Sequence, residues 1–152
     1  MFIIPLFILK SYNIEKKSDQ TIENSGESGI IGTTDQQRLK QMIDNGEITL
    51  NINTNIQNRH YQGTKEYNDF LKNGIEKSYF YVPQSELQDF LCKNATKGEI
   101  FISSAGDAKE RFDFGKVIAF DTLLKKETTW ATVIYSKKRT HFSPYSPIPE
   151  EE

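Results

Sequence analysis

The segment Thr128-Thr-Trp-Ala-Thr-Val-Ile-Tyr-Ser-Lys-Lys-Arg-Thr-His-Phe-Ser143 decides the predicted fold, because two β-rich runs in it flank a short basic turn. We predict strands over Thr128–Tyr135 and Thr140–Ser143, joined through Ser136–Arg139 as a β-hairpin. Further strands are predicted at Ser78–Val82, Glu99–Ser103 and Arg111–Asp121. The carboxyl-terminal half of the chain therefore predicts a sheet built around this hairpin.

Helix signals lie upstream of these strands and between them. Predicted helices cover Gln36–Asn45, Lys65–Lys72 and Glu86–Lys93. Thr34 or Asp35 is the expected cap of the first helix, Thr64 of the second and Ser85 of the third, since their side chains can accept from the first free backbone N–H groups. The segment Glu47–Asn53 alternates apolar and polar residues, which is the period of a half-buried strand.

The two ends of the chain differ in composition from the middle. Met1–Leu9 is an apolar run interrupted by Pro5, much shorter than the roughly 20 residues of a membrane span. It predicts an edge strand or an ordered arm, with a targeting segment as the alternative. Polar residues up to 35 are typical of a linker. We therefore divide the chain into an arm and linker over 1–35, a domain over 36–149 and an acidic tail over 150–152.

Composition limits the classes of function. With 152 residues the chain is expected to form one domain, and its 10 Phe, 7 Tyr and 1 Trp can supply a core despite an apolar content of 36%. The net charge of −2 does not indicate a polycation. Residues 56–148, however, carry 14 Lys and Arg against 11 Asp and Glu, a net charge of +3. This mildly basic part is compatible with a phosphate-bearing partner.

Cysteine and histidine are scarce. A single cysteine, Cys92, excludes an intrachain disulfide and a cysteine-based metal cluster. Two histidines, His60 and His141, are too few for a three-histidine zinc site. We therefore expect neither a metal nor a cofactor.

Both histidines have a basic residue within two positions and hydroxyl groups nearby. Such a pair is suited to RNA cleavage without a metal: one neutral imidazole takes the proton of a ribose 2′-hydroxyl, and a protonated imidazole gives one to the departing 5′-oxygen. Side chains suited to stabilising the phosphate are Arg59, Lys116, Ser136, Lys138 and Thr140. The alternative to a catalytic role is that each histidine is a hydrogen-bonded structural residue beside a strand.

Three blocks of sequence resemble a known family. Asn58-Arg-His-Tyr-Gln-Gly-Thr-Lys-Glu-Tyr67 resembles the K/R-H-x-x-G-T-x-x-Y opening of the bacterial polymorphic toxin type 50 domain. Arg111-Phe-Asp-Phe-Gly-Lys-Val-Ile118 is similar to its R-x-D-F-G-K-x-I strand. Ile134-Tyr-Ser-Lys-Lys-Arg-Thr-His-Phe-Ser-Pro144 is similar to its I-H-Y-S-K-x-G-T-H-I-x-P closing hairpin, with Ile134 near the position of the family histidine and Arg139 in place of the glycine.

The resemblance implies an α+β fold of the barnase–EndoU–colicin–RelE type, with N-terminal helices packed on a small antiparallel sheet. It also implies an endoribonuclease toxin. The residues then expected to be catalytic are His60, His141, Lys116, Thr140 and Ser136. Those expected to bind the substrate are Arg59, Thr64, Tyr67, Arg111, Tyr135, Lys137 and Lys138.

The implied partners are RNA, with tRNA as one candidate, and an acidic immunity protein. The implied location is the cytoplasm of a target cell after secretion or delivery, or the producing cell's cytoplasm for a phage or mobile-element protein. One alternative is a non-catalytic structural module of the same fold, associated with phage virion proteins. A second is an ADP-ribosyltransferase, which consumption of NAD would reveal.

Overall fold

A computed structural model describes residues 34–148 of the chain. The predicted amino-terminal arm, nearly all of the linker and the acidic tail lie outside these residues. The described helices are α1 (Asp35–Asp44), α2 (Thr54–Gln57), α3 (Lys65–Lys72) and α4 (Gln84–Asn94). A 3-10 turn over Asn58–His60 continues directly from α2. Across residues 34–148, no helix combines the length and apolar character needed to cross a membrane.

The described part of the chain contains seven strands, which form two antiparallel sheets. They are β1 (Tyr79–Phe80), β2 (Glu99–Ile102), β3 (Ala108–Asp113), β4 (Ala119–Asp121), β5 (Lys126–Thr128), β6 (Trp130–Ile134) and β7 (His141–Tyr145). The smaller sheet has the order β1-β4-β5 and the larger one β2-β3-β6-β7. The predicted α+β class with antiparallel pairing is confirmed. The finer likeness to the barnase–EndoU–colicin–RelE fold stays a prediction.

The core lies between the helices and one face of the four-stranded sheet. Alternate residues of β3 and β6 are buried, as the period of two in a strand requires. Phe90 of α4 packs edge-on against Phe112 of β3, with ring centroids 5.1 Å apart. The largest fully buried apolar side chains of this core are Leu39, Leu87, Leu91, Ile118, Val133 and Phe142. The opposite face of the sheet is left half-exposed or exposed.

Local capping signals predicted two helices well. Helix α3 has the predicted bounds, and its cap Thr64 accepts from the backbone N–H of Tyr67 at 3.1 Å. Helix α1 begins one residue earlier than predicted, after a capping box formed by Thr34 and Gln37. The prediction for α4 was wrong at its start, because Pro83 precedes the first turn and Ser85 lies inside the helix.

The predicted strand over Glu47–Asn53 was wrong. Its apolar residues Ile48, Leu50 and Ile52 are buried, as the alternation predicted. Among residues 34–148, no strand forms a ladder with this segment. Instead the Gln88 amide accepts from the Ile52 N–H at 2.9 Å and donates to the Leu50 carbonyl at 2.8 Å. The side-chain amide of Gln88 therefore makes hydrogen bonds of the kind that the backbone of a neighbouring strand would make.

The remaining strand predictions need changes in bounds. The run Arg111–Asp121 forms two strands in different sheets, because Gly115 (φ +76°) turns the chain between Asp113 and Ala119. The run Thr128–Tyr135 likewise passes from one sheet to the other at Thr129. Three shorter predictions differ only at their ends: β1 and β2 are shorter than predicted, and β7 is shifted towards Tyr145.

Candidate functional site

The two histidines of the chain lie beside each other. The imidazole rings of His60 and His141 have centroids 6.4 Å apart and planes inclined by only 12°. His60 comes from the 3-10 turn after α2, and His141 is the first residue of β7. At this separation, both imidazoles can reach a single phosphodiester group through hydrogen bonds of about 3 Å.

His60 is fixed on two sides. Its Nδ1 lies 2.8 Å from the carbonyl oxygen of Ser78, and its ring meets Phe80 edge-on at 6.2 Å. The hydroxyl of Thr64 lies 2.6 Å from the carbonyl oxygen of Asn58, the first residue of the turn that carries His60. Thr64, expected to bind the substrate, thus caps α3 and holds the histidine turn.

His141 is fixed by the hairpin turn that precedes it. Its Nδ1 lies 2.9 Å from the carbonyl oxygen of Arg139. The fully buried Thr140 accepts from the Ser136 N–H at 2.9 Å, and its hydroxyl lies 2.8 Å from the Thr49 carbonyl oxygen. Ser136 in turn accepts from the Arg139 N–H at 3.2 Å. These bonds tie both residues into the turn that carries His141, and the catalytic roles expected for Thr140 and Ser136 stay predictions.

The segment that failed to form a strand braces this turn. The backbone N–H of Thr49 donates to the Ser136 carbonyl at 2.9 Å, and that of Asn53 donates to the Thr140 carbonyl at 2.8 Å. The side-chain amide of Asn53 also donates to the Lys138 carbonyl at 3.0 Å. These three hydrogen bonds therefore hold the hairpin turn in addition to the pairing of β6 with β7.

Gln57 joins the two histidine-bearing segments. Its side chain is fully buried, its amide nitrogen donates to the Phe142 carbonyl at 3.0 Å, and its amide oxygen accepts from the Phe142 N–H at 2.7 Å. Gln57 lies three residues before His60, and Phe142 follows His141 directly. This pair of bonds sets the position of one imidazole relative to the other.

Three cationic side chains surround the histidines. The guanidinium of Arg59 lies 5.6 Å from the centroid of the Phe70 ring, and the ammonium of Lys77 lies 4.5 Å from it. The charges of Arg59 and Lys77 act on both imidazoles, and that of Arg139 acts on His141. Within residues 34–148, no carboxylate forms an ion pair with any of these three cations.

Burial and these cations both favour neutral imidazoles. Burial, followed by the charges of Lys77, His141 and Arg59, lowers the pKa of His60 to about 4, although its bond to Ser78 opposes the change. Burial also lowers the pKa of the more accessible His141, with Arg59, Arg139 and Lys77 contributing. Both rings are therefore neutral at pH 7 in the free protein.

The hydrogen bonds also fix the tautomer of each neutral ring. A carbonyl oxygen only accepts, so Nδ1 of each histidine must carry the proton. The unprotonated Nε2 is then the basic nitrogen of both rings. A carbonyl that orients an imidazole in this way leaves the other nitrogen free for proton transfer.

The other predicted site residues are dispersed. Lys116 forms an ion pair with Glu86 of α4 at 2.5 Å. Tyr67 is buried against Tyr79, and Lys137 and Lys138 are exposed on the hairpin turn. Arg111 lies on the exposed face of the four-stranded sheet.

Tyr135 belongs to the core. Its hydroxyl donates to the buried carboxylate of Glu110 at 2.6 Å, and this carboxylate also accepts from the N–H groups of Thr96 and Gly98. The arrangement gives Tyr135 a structural role and does not support its expected contact with a substrate.

Sequence reasoning missed Gln57, Phe70 and Lys77. Gln57 and Phe70 carry no pattern that distinguishes them from other helix residues. Lys77 precedes a predicted strand and is one of 19 basic residues, so only the fold reveals its position beside the histidines. No group of three or more His, Cys, Asp or Glu side chains gathers at metal-binding distance anywhere in residues 34–148.

Comparison with known proteins gives one match. The model of a protein family described as bacterial toxin 50 matches residues 52–144, which include both histidines, α2 to α4 and most of both sheets. No curated protein and no solved structure matches the chain.

Proposed function

Because the chain belongs to the bacterial toxin 50 family, we propose that its toxic activity is endoribonucleolytic, with His60 and His141 as the acid–base pair. The observation that carries this proposal is the stacked pair of imidazoles, 6.4 Å apart, each oriented through Nδ1 by a backbone carbonyl. The cations Arg59, Lys77 and Arg139 provide the positive potential that a phosphodiester requires.

His60 is the general base in this proposal. Its low pKa keeps it unprotonated at neutral pH, and its Nε2 takes the proton of the ribose 2′-hydroxyl. The 2′-oxygen attacks the adjacent phosphorus, and the bond from phosphorus to the 5′-oxygen breaks. The products are a 2′,3′-cyclic phosphate and a 5′-hydroxyl end.

His141 is the general acid, which protonates the departing 5′-oxygen. Its ring is more accessible than that of His60, and it must be protonated before the reaction. The negative charge of the bound phosphodiester raises the pKa of a neighbouring imidazole, so substrate binding supplies this protonation. Arg59 and Lys77 stabilise the charge that develops on the non-bridging oxygens.

The toxin assignment carries a proposal about partners and location. An enzyme that cleaves RNA harms the cell that makes it, so we propose an acidic immunity protein that covers the cations around the histidines. The toxin would act on RNA in the cytoplasm of the cell into which it is delivered. Low-salt affinity for an acidic protein encoded beside the toxin tests this pairing.

The deciding experiment incubates the purified protein with total RNA in EDTA and maps the cleaved ends chemically. His60→Ala and His141→Ala are compared with the parent protein, and thermal unfolding establishes that each variant is folded. We expect cyclic-phosphate ends from the parent, and a loss of at least about 10²-fold in each variant. Intact RNA with a folded parent protein contradicts the proposal and favours a non-catalytic module. Loss of cleavage in EDTA alone contradicts the metal-independent mechanism.

A further inference from the structure

We call the face of the four-stranded sheet that lies opposite the core the outer face. It carries three rows of side chains. The registers of the strands place residues side by side across the sheet. The first row is Phe101, Lys109, Ile134 and His141. The second is Glu99, Arg111, Thr132 and Ser143, and the third is Asp113, Trp130 and Tyr145. The outer face therefore begins at a histidine of the proposed acid–base pair.

Arg111 occupies the middle of this face between two aromatic rings. Its guanidinium carbon lies 4.5 Å from the ring centroid of Phe101 and 4.2 Å from that of Tyr145. These rings belong to β2 and β7, the two edges of the sheet. Both edges thus converge over one guanidinium, and Trp130 packs edge-on against Tyr145 at 6.2 Å.

Arg111 forms no ion pair within residues 34–148, although Glu99 is its neighbour in the row. Its Nε is buried and makes no hydrogen bond to the described residues. Aromatic rings that pack over a guanidinium leave its terminal in-plane N–H groups to bind an anion.

We infer that the outer face binds single-stranded RNA beside the cleaved bond, with Arg111 contacting a flanking phosphate and Tyr145 offering a ring for a base. The inference rests on the proposed function and extends it by naming the strandedness of the substrate. Aromatic rings beside a cation are the usual means of holding unpaired nucleotides, whereas bases inside a duplex cannot stack on a protein side chain.

The distance along β7 fits an oligonucleotide. His141 and Tyr145 share a face and are four residues apart, which is about 14 Å of strand. A single nucleotide held at the histidines does not span this length. The substrate contacts at Arg111 are therefore to a neighbouring nucleotide of the same RNA strand.

The test measures binding separately from cleavage. A short, labelled 2′-O-methyl oligoribonucleotide of mixed sequence lacks the attacking hydroxyl, so its anisotropy reports binding alone. We expect Arg111→Gln to weaken binding about tenfold and to reduce the slope of log affinity against log salt concentration by about one. Lys93→Gln is the matched control, because it removes one charge from α4 on the opposite side of the sheet. It should leave binding within about twofold.

A second variant keeps the inference testable if Arg111→Gln does not fold. Phe101 is 44% exposed at the edge of the sheet, so Phe101→Leu removes one ring at little cost to the core and should also weaken binding severalfold. Unchanged affinity and salt slope in both folded variants contradict the inference, whatever the cleavage assay shows. Equal binding of the matching duplex contradicts it too. Intact RNA together with weakened binding by Arg111→Gln contradicts the proposed activity and leaves the binding face standing.

Discussion

Gln57 pairs with the buried edge of β7 that faces away from β6, because its side-chain amide donates to the carbonyl of Phe142 and accepts from its N–H. An amide that donates and accepts in this way replaces the contribution of a neighbouring strand. The bond pair joins the two segments that carry the histidines of the proposed site, so the edge of the sheet and the site share one anchor.

Replacing this anchor should affect stability and cleavage together. Gln57→Leu leaves two buried backbone groups of Phe142 without partners, so we expect the free energy of unfolding to fall by about 2–4 kcal/mol. The residual folded protein should cleave RNA more slowly, because His60 is no longer held beside His141. Urea denaturation checks the first effect and an RNA cleavage assay the second. Gln62→Leu, at an exposed position nearby, is the control that should change neither.

His60 should make stability depend on pH. Its pKa is about 4 in the folded protein and about 6.5 in the unfolded chain, so the unfolded chain binds more protons between these values. The free energy of unfolding is therefore greatest above pH 6.5. It should fall by about 3 kcal/mol from this residue as the pH is lowered to 4.

Comparison with His60→Gln isolates this contribution, because carboxylates and His141 titrate in both proteins. Urea denaturation between pH 4 and pH 8 should give curves that diverge below pH 6.5, with the parent protein losing more stability. Parallel curves would show that His60 titrates normally and is not desolvated.

The charge of Lys77 should lower the pKa of both imidazoles. Lys77→Gln removes a charge that lowers the pKa of His60 and of His141, so both pKa values should rise. Cleavage should nevertheless slow by about tenfold or more, since the phosphate loses a cation. Nuclear magnetic resonance titration of the imidazole protons measures the first effect. Lys97→Gln, an exposed change before β2, should move neither pKa value; equal shifts in both variants would contradict a local role for Lys77.

Two tyrosines offer a matched comparison of buried and exposed hydroxyls. Tyr135 donates to the buried Glu110 at 2.6 Å, and Tyr81 donates to the exposed Glu127 at 3.2 Å. Tyr135→Phe should lower the free energy of unfolding by about 1–3 kcal/mol, because a buried carboxylate loses a donor. Tyr81→Phe should stay within about 0.5 kcal/mol of the parent. Thermal unfolding of both variants measures these changes. Equal losses of stability in the two variants would contradict a special contribution from the buried hydrogen bonds of Glu110.

Elements with local signals could be predicted from the sequence. Helix α3 was predicted to the residue because its start at Thr64 and its stop at Gly74 depend only on neighbouring backbone groups. Strands were harder to predict, since pairing partners decide them: Glu47–Asn53 has the alternation of a strand, but no strand within residues 34–148 pairs with it. The split of Arg111–Asp121 depends on a turn at Gly115 that sends the chain into a second sheet.

The candidate site could be predicted in its chemistry but only partly in its members. His60 and His141 stood out by scarcity and by the resemblance of their surroundings to one family. The membership of Lys77 and Phe70 in the site could not be predicted from the sequence, because it depends on tertiary contacts. Thr140 and Tyr135 are buried and hydrogen-bonded within the fold, which the motif alone did not indicate, and the site roles that the resemblance implies for them stay predictions.

The uncompensated cations around the imidazole pair have a consequence for the evolution of the protein. Arg59, Lys77 and Arg139 are like charges placed near the imidazole pair, so we expect their proximity to lower the stability of the free protein. Stability and activity are in conflict here: substitutions that neutralise the site should raise the melting temperature as they remove function. Any multivalent anion that enters the site relieves the conflict, and should make the occupied protein more resistant to heat than the empty one.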